Sequence, residues 1–199
     1  MGSTYIELTF AVAYSEVTEQ INEYKPMSVI GLGGGCHWCT EGVFKSLLGV
    51  ENVNQGWIAS AEDSESYSEA IEVRFNESII TLHDLINIHL HTHAATSNHS
   101  MRQKYRSAIY VYDEKQHQPA MESLSKLSLS FDKPVITQVY RFADFRQNKT
   151  ELLNYFYTSP TRPFCKTYIH PKLKILLSEF KRHVDTEKLT KAGIDAQSL

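Results

Sequence analysis

Segments with the two-residue period of β-strands alternate irregularly with segments at helical spacing along the 199 residues of this chain. The strand segments are "MSVIGLG" (27–33), "VENVNQGWIAS", "SEAIEVRF", "RSAIYVYD" and "PVITQVYRF". The helical segments are "CTEGVFKSLLGV", "TLHDLINIHLHTH", "KQHQPAMESLSKLSLSF", "NKTELLNYFY" and "HPKLKILLSEFKRHV". Because no βαβ unit of about 30 residues repeats, the pattern predicts an α+β fold in which helices pack on a mixed sheet.

Single residues predict where some helices begin, break or end. Thr81 is a potential N-cap of the second helix, and Gly49 is well placed to end the first. Pro119 is expected to interrupt the third helix, because proline lacks a backbone N–H. The mixed residues at the N-terminus are expected to add one further strand or helix.

Composition limits the function classes. Hydrophobic residues make up 42% and charged residues 22% of the chain, as in ordinary globular proteins. The net charge of −3 argues against a nucleic-acid partner. No apolar run has transmembrane length, and no signal peptide is evident. Three cysteines do not suggest a disulfide framework, so we expect a cytoplasmic protein with working thiols.

The stretch "GLGGGCHWCTEGVF" (31–44) joins a predicted strand to a predicted helix through glycines. It is not a dinucleotide motif, because Cys36 stands where the last glycine of G-x-G-x-x-G belongs. A cysteine at a helix N-terminus is favoured as the thiolate, since free N–H groups and the helix dipole stabilise its charge. Cys36 is therefore a candidate nucleophile, and Trp38 a candidate apolar wall beside it.

Two other readings of the motifs stay open at this point. Cys36 and Cys39 form a C-x-x-C pair, which also suggests a thioredoxin-like thiol–disulfide oxidoreductase. In "HLHTH", helical spacing places only His89 and His93 on one face, with His91 pointing away. Because no standard set of zinc ligands is complete, we expect no metal site.

Four blocks of the sequence resemble the A-type peptide methionine sulfoxide reductases, in the order of that family. "GGGCHWCTEGVFKSLLGV" is similar to its G-C-F-W-G turn, and the other blocks are "YSEAIEVRFNESIITLHDLI", "QKYRSAIYVYDEKQ" and "FYTSPTRPFCKTYIHPKL". The resemblance covers roughly residues 27–180. It implies a ferredoxin-like two-layer α+β core. It also divides the chain into an N-terminal extension (1–26), a catalytic domain (27–183) and a C-terminal tail (184–199).

The resemblance implies thiol-dependent reduction of methionine S-sulfoxide, free or protein-bound. Cys36 would attack the sulfoxide sulfur, Glu69 would protonate the leaving oxygen, and Tyr105 would hydrogen-bond that oxygen. Strand alternation places Glu69 on the face of Ile71 and Val73, which favours its burial. The Cys36 sulfenic acid would form a disulfide that an external thiol, which the resemblance implies is thioredoxin, reduces without any bound cofactor.

The chain departs from the family in and around its substrate pocket. His37 replaces the family phenylalanine, and Cys39 replaces the glycine after Trp38. A family tyrosine and an aspartate have no counterpart, and Tyr67 falls where the family has a histidine. We expect His37, Trp38 and Tyr67 to bind the substrate.

The resolving thiol is either Cys165, as in the family, or Cys39, one helical turn from Cys36. We favour Cys165, because "TSPTRPFC" is predicted to be a mobile loop.

Overall fold

The computed structural model describes residues 27–195, and the strand or helix predicted in the N-terminal extension lies outside them. The five strands are β1 (Met27–Gly33), β2 (Val50–Ser60), β3 (Asp63–Asn76), β4 (Ala108–Val111) and β5 (Gln138–Gln147). All five predicted strand segments are confirmed as strand-forming. Residues 134–137 are not part of the last strand, which begins at Gln138.

The strands form one sheet in the order β1-β3-β2-β5-β4. β4 and β5 pair in parallel and the other neighbours pair antiparallel, so the predicted mixed sheet and α+β class are confirmed. The short β4 pairs with β1 on one side and β5 on the other, which closes the sheet into a barrel. In the ferredoxin-like core that the resemblance implies, this sheet is one of the two layers.

The described part of the chain contains six α-helices. They are α1 (His37–Lys45), α2 (Leu82–Thr92), α3 (Glu114–Ser128), α4 (Tyr155–Thr158), α5 (His170–Glu179) and α6 (Thr186–Lys191). Short 3₁₀ turns cover Thr150–Leu152 and Lys181–His183, and a π-helical turn covers Cys165–Ile169. Thr81 is confirmed as the N-cap of α2, because its hydroxyl accepts a hydrogen bond from the Asp84 N–H at 3.1 Å.

Three helix predictions were wrong in detail. Pro119 lies within a continuous α3, because the loss of one backbone donor does not outweigh the Asp113 N-cap and the complete burial of Ala120. α1 ends at Lys45, before Gly49, which takes a positive φ of 79° in the turn to β2. The predicted helix "HPKLKILLSEFKRHV" is α-helical only as far as Glu179, and the 3₁₀ turn Lys181–His183 follows it.

The segment "NKTELLNYFY" was predicted to be one helix and is not. A 3₁₀ turn and the short α4 are separated at Asn154, which adopts a left-handed conformation with φ 57°. The Asn154 N–H donates to the buried Glu41 carboxylate at 3.0 Å. This tertiary hydrogen bond explains why the helix breaks at a residue that tolerates the left-handed region.

The core lies between the barrel and α1, α2 and α5. Ile71 and Val73 are fully buried on β3, in agreement with the predicted face of Glu69. The segment predicted as a C-terminal tail also packs here, since Leu189 is fully buried and Ile194 is 6% exposed. The division of the chain near residue 183 stays a prediction.

Candidate active site

Cys36 stands at the N-cap of α1, immediately after the glycines that follow β1. Its carbonyl oxygen accepts hydrogen bonds from the Cys39 and Thr40 N–H groups at 3.0 and 3.2 Å. A Cβ atom at Gly34 would lie 2.3 Å from the His93 ring, so only glycine fits at this approach. The glycines therefore allow the chain after β1 to approach the end of α2 closely, and Cys36 then lies at the start of α1.

The surroundings of Cys36 favour its thiolate. Its pKa is lowered chiefly because the Cys39 thiol donates a hydrogen bond to the Cys36 sulfur, with further help from the N–H groups of Trp38 and Cys39. Burial and the nearby Glu69 charge oppose this effect without reversing it. Cys39 keeps its proton as the donor, and this contact together with burial raises its pKa. The two shifts therefore favour a thiolate at Cys36 and a protonated thiol at Cys39.

A cavity of about 540 Å³ opens beside the Cys36 sulfur. Tyr105 lines this cavity. This position is compatible with the hydrogen bond to the sulfoxide oxygen that the resemblance implies for Tyr105. Phe164 and Tyr168 provide an aromatic side, and Lys172 contributes one positive charge. The cavity therefore combines a nucleophile, a phenolic donor, an apolar surface and a cation.

Glu69 is buried next to the first turn of α1. One carboxylate oxygen accepts a hydrogen bond from the His37 N–H at 3.2 Å and lies 3.2 Å from His37 Nδ1. The other oxygen lies 3.1 Å from Lys104 Nζ. Glu69 is thus held by one histidine and one lysine, neither of which the resemblance led us to expect at this acid.

The hydrogen bonds of His37 fix which ring nitrogen carries the proton. Trp57 donates to the Asn148 side-chain oxygen at 3.2 Å, so the Asn148 nitrogen is the atom that faces Gln55 and His37. That nitrogen lies 3.0 Å from His37 Nε2 and donates to it. Nδ1 therefore carries the proton and points it at Glu69. Burial lowers the pKa of His37, although the Glu69 charge opposes this.

The same chain of hydrogen bonds continues to a second buried carboxylate. Gln55 accepts from Asn148 at 2.9 Å and donates to Glu41 at 2.9 Å. Burial raises the pKa of Glu41. Two carboxylates, Glu69 and Glu41, are thus linked by three neutral side chains through the interior.

Trp38 lies in an aromatic cluster rather than alone beside Cys36. Its ring stacks on Tyr155 with centroids 4.2 Å apart and meets Phe164 edge-on at 5.5 Å. Phe164 also lines the Cys36 cavity. The arrangement fits the expected apolar wall, formed by the cluster as a whole.

Tyr67 does not line the Cys36 cavity. Its hydroxyl donates to Asp144 at 2.5 Å, and the Arg146 guanidinium lies 3.7 Å from its ring centroid. Tyr67 instead lines a neighbouring cavity of about 600 Å³ that also contains Trp57 and Lys104. The hydrogen bond to Asp144 on β5 holds Tyr67 at this neighbouring cavity, and its expected role in substrate binding stays a prediction.

Cys165 was predicted in a mobile loop but begins the π-helical turn and is fully buried. Its thiol donates to the Ser159 carbonyl at 3.6 Å, and burial raises its pKa. Of the two proposed partners of Cys36, only Cys39 lowers its pKa and lines the same cavity.

The histidine segment of α2 is hydrogen-bonded within the fold. His89 and His93 stack with centroids 4.0 Å apart, and His89 bonds the Gly33 carbonyl at 2.8 Å. His93 bonds Ser107 at 2.7 Å. Within residues 27–195, no three His, Cys, Asp or Glu side chains are grouped to hold a metal ion. In the same part of the chain, no helix is long and apolar enough to span a membrane.

Sequence reasoning missed Lys104, Asn148 and Lys172. Lys104 precedes Tyr105, and Lys172 lies in the C-terminal block of the resemblance, so both stood in segments that had already been singled out. Asn148 follows the last strand and carries no local signal.

Comparison with known proteins places this site in a family. The family model described as "Peptide methionine sulfoxide reductase" matches residues 28–185. A peptide methionine sulfoxide reductase MsrA from Psychrobacter arcticus is 31% identical over 172 residues, which cover 79% of this chain and 99% of the relative.

Two solved structures share the fold. The methionine sulfoxide reductase A of Corynebacterium diphtheriae matches with a TM-score of 0.61 at 19% identity, covering 74% of this chain and 82% of that one. Mxr1 from Saccharomyces cerevisiae in complex with Trx2 matches with a TM-score of 0.52 at 17% identity, covering 63% and 83%. From the family match and the close relative together, the chain belongs to the peptide methionine sulfoxide reductase family.

Proposed function

We propose that the protein reduces methionine S-sulfoxide, free or protein-bound, to methionine, with Cys36 as the nucleophile. The observation that carries the proposal is the Cys36 thiol, whose pKa is lowered at the start of α1 and which lines a cavity with Tyr105. A lowered pKa increases the fraction of thiolate at neutral pH, and the thiolate is the form that attacks sulfur.

In the first half of the reaction, the Cys36 thiolate forms a bond to the sulfoxide sulfur while the sulfoxide oxygen takes up a proton. Transfer of the resulting hydroxyl to Cys36 then breaks the sulfur–sulfur bond and releases methionine. The substrate gains two electrons and Cys36 loses two, which leaves a sulfenic acid. Every atom of the sulfoxide and the thiol is accounted for.

Glu69 is the proposed source of the proton, with His37 and Lys104 as its partners. His37 Nδ1 lies 3.2 Å from one Glu69 oxygen and Lys104 Nζ lies 3.1 Å from the other. Both partners carry exchangeable protons, so either can pass a proton to the Glu69 carboxylate, which then donates it to the sulfoxide oxygen. Tyr105 is proposed to donate a hydrogen bond to the sulfoxide oxygen, which stabilises the charge that develops there.

In the second half, the sulfenic acid forms a disulfide that an external thiol reduces. Mxr1 of yeast has been solved with Trx2, which supports thioredoxin as the reductant of this chain also. No prosthetic group is needed, because the electrons come from that thiol. Three free cysteines among the described residues fit a cytoplasmic location, where thiols stay reduced. The alternative of a thioredoxin-like oxidoreductase is not favoured by the family match.

The direct test is turnover of the two resolved epimers of methionine sulfoxide by the wild type and Cys36→Ser. We expect the wild type to consume the S epimer and to leave the R epimer, which serves as the matched control. Cys36→Ser should lose several orders of magnitude in rate, because a hydroxyl is not ionised at neutral pH. Undiminished turnover by Cys36→Ser, or equal use of both epimers, would contradict the proposal.

A further inference from the structure

Cys39 and Cys36 are arranged for direct reaction with each other. Cys39 lies three residues after Cys36, in the first turn of α1, so both side chains share one face of the helix. The Cys39 thiol donates a hydrogen bond to the Cys36 sulfur, and both residues line the same cavity. An oxidised Cys36 would therefore have the Cys39 thiol within the same helical turn and the same cavity.

Cys165 is placed less favourably for the same step. It is fully buried, its thiol is engaged by the Ser159 carbonyl, and it does not line the Cys36 cavity. It begins the π-helical turn that also buries Ile169, against Gly42 of α1. A bond between Cys165 and Cys36 would therefore require the Cys165 thiol to give up its contact with the Ser159 carbonyl.

Lys172 supplies the charge that a resolving thiolate needs. It lies in the first turn of α5, and its ammonium donates a hydrogen bond to the Thr92 carbonyl at the end of α2. That bond holds the half-buried side chain in the cavity that contains both cysteines. Burial lowers the pKa of Lys172, and the two cysteine sulfurs oppose this shift. The Lys172 charge in turn lowers the pKa of Cys39.

We propose that Cys39 resolves the Cys36 sulfenic acid and that Lys172 is the positioning residue that stabilises the attacking Cys39 thiolate. This inference rests on the proposed function for the origin of the sulfenic acid. Cys39 gives up its proton and its sulfur attacks the Cys36 sulfur. The sulfur–sulfur bond forms, the sulfur–oxygen bond breaks, and the hydroxide takes up a proton and leaves as water. No further oxidant is required.

The order of events follows from the contact between the two sulfurs. While Cys36 is a thiolate, it accepts the Cys39 proton and repels a second negative charge, so Cys39 stays protonated. Oxidation of Cys36 removes that negative charge, and the positive charge of Lys172 still lowers the pKa of Cys39. The resolving thiol thus becomes reactive only after Cys36 has been oxidised.

Other charged and titratable groups also face this cluster, and all of them except Cys165 are the same in every variant below. They are His89 and His93 on α2, Glu69 on β3, and Cys165 on the π-helical turn.

The test follows disulfide formation in the full chain after Cys36 has been oxidised by one equivalent of substrate. A parallel arm uses hydrogen peroxide, which also converts a thiolate to a sulfenic acid. Peptide mapping of the oxidised wild type and Cys165→Ser should show a Cys36–Cys39 bond. Cys39→Ser should stop at a sulfenic acid that a 1,3-dione reagent traps on Cys36.

The role of Lys172 is tested by Lys172→Met, Lys172→Arg and the exposed control Lys174→Met on the same helix. A neighbouring positive charge lowers a thiol pKa by about one unit or more, so Lys172→Met should slow disulfide formation about tenfold at pH 7. It should also move the midpoint of the rate–pH profile upward. Lys172→Arg should restore the wild-type profile, whereas a purely structural defect would not be rescued by charge.

Three results would overturn the inference. They are a Cys36–Cys165 bond formed in Cys39→Ser at the wild-type rate, a stalled sulfenic acid in Cys165→Ser, and an unchanged pH profile in Lys172→Met. Failure of the proposed function gives a different pattern: the sulfoxide yields no methionine, while the peroxide arm still reports which thiol resolves.

Discussion

Replacing Glu69 with glutamine should change two properties of Cys36 in opposite directions. The Glu69 charge raises the pKa of Cys36, so its loss in Glu69→Gln should increase the thiolate fraction and speed alkylation by iodoacetamide near neutral pH. The same variant should slow sulfoxide reduction, because glutamine has no acidic proton. A positioned general acid contributes about 10²–10⁴-fold, which sets the expected loss.

The structure indicates that the loss falls towards the lower end of that range. Glu69 is held by His37 on one oxygen and Lys104 on the other, and both of these partners carry exchangeable protons. Either can deliver a proton inefficiently when Glu69 is gone, so we expect about a hundredfold decrease. The alkylation change should be smaller, since Glu69 acts on the Cys36 pKa less than the Cys39 contact does.

The assay is stopped-flow measurement of methionine release in a single turnover, alongside the alkylation rate as a function of pH. Glu72→Gln is the matched control, because Glu72 lies on the same strand but bonds the Tyr112 hydroxyl at 2.8 Å. The control should leave both rates within about twofold. A Glu69→Gln variant with wild-type methionine release, or one whose alkylation and reduction fall together, would refute the assignment of Glu69 as the acid.

Three further predictions concern residues whose placement the structure defines. Tyr105→Phe should reduce turnover about tenfold, whereas Tyr67→Phe should leave turnover nearly unchanged, because Tyr105 lines the Cys36 cavity and Tyr67 does not. Initial rates with dithiothreitol as the reductant compare the two variants. Burial raises the pKa of Glu41, so the contribution of Glu41 to the unfolding free energy falls as the pH rises through that raised pKa. Urea unfolding at several pH values should therefore show a flatter dependence of stability on pH for Glu41→Gln than for the wild type. Gly34→Ala should lower the unfolding free energy by about 1–3 kcal/mol, because the added Cβ would meet the His93 ring at 2.3 Å; thermal unfolding measures the loss.

Features set by local chemistry could be predicted from the sequence. The Thr81 N-cap depends on residues within one helical turn, and the burial of Ile71 and Val73 follows from strand alternation alone. The glycine-to-helix turn likewise predicted a thiolate at Cys36, because helix N-termini favour negative charge wherever they occur.

Features that depend on contacts between distant segments could not. Closure of the barrel requires β4 to pair with two strands that are far apart in sequence. The break at Asn154 depends on the buried Glu41 carboxylate, and the partners of Glu69 include a lysine 35 positions further on. The family resemblance pointed to Cys36 and Tyr105, which line one cavity, and to Tyr67, whose hydroxyl is bonded to Asp144 on β5 beside a different cavity.

The central claim is that the Cys36 thiolate accepts the oxygen of the sulfoxide. The most direct measurement uses a Cys39→Ser/Cys165→Ser double variant, in which no other cysteine among the described residues can form a disulfide with Cys36. After mixing with excess methionine S-sulfoxide and no reductant, the account predicts one methionine per chain and one trapped sulfenic acid in the peptide that contains Cys36. Release of methionine with Cys36 still reduced, or oxidation of Cys36 with no methionine formed, would contradict it.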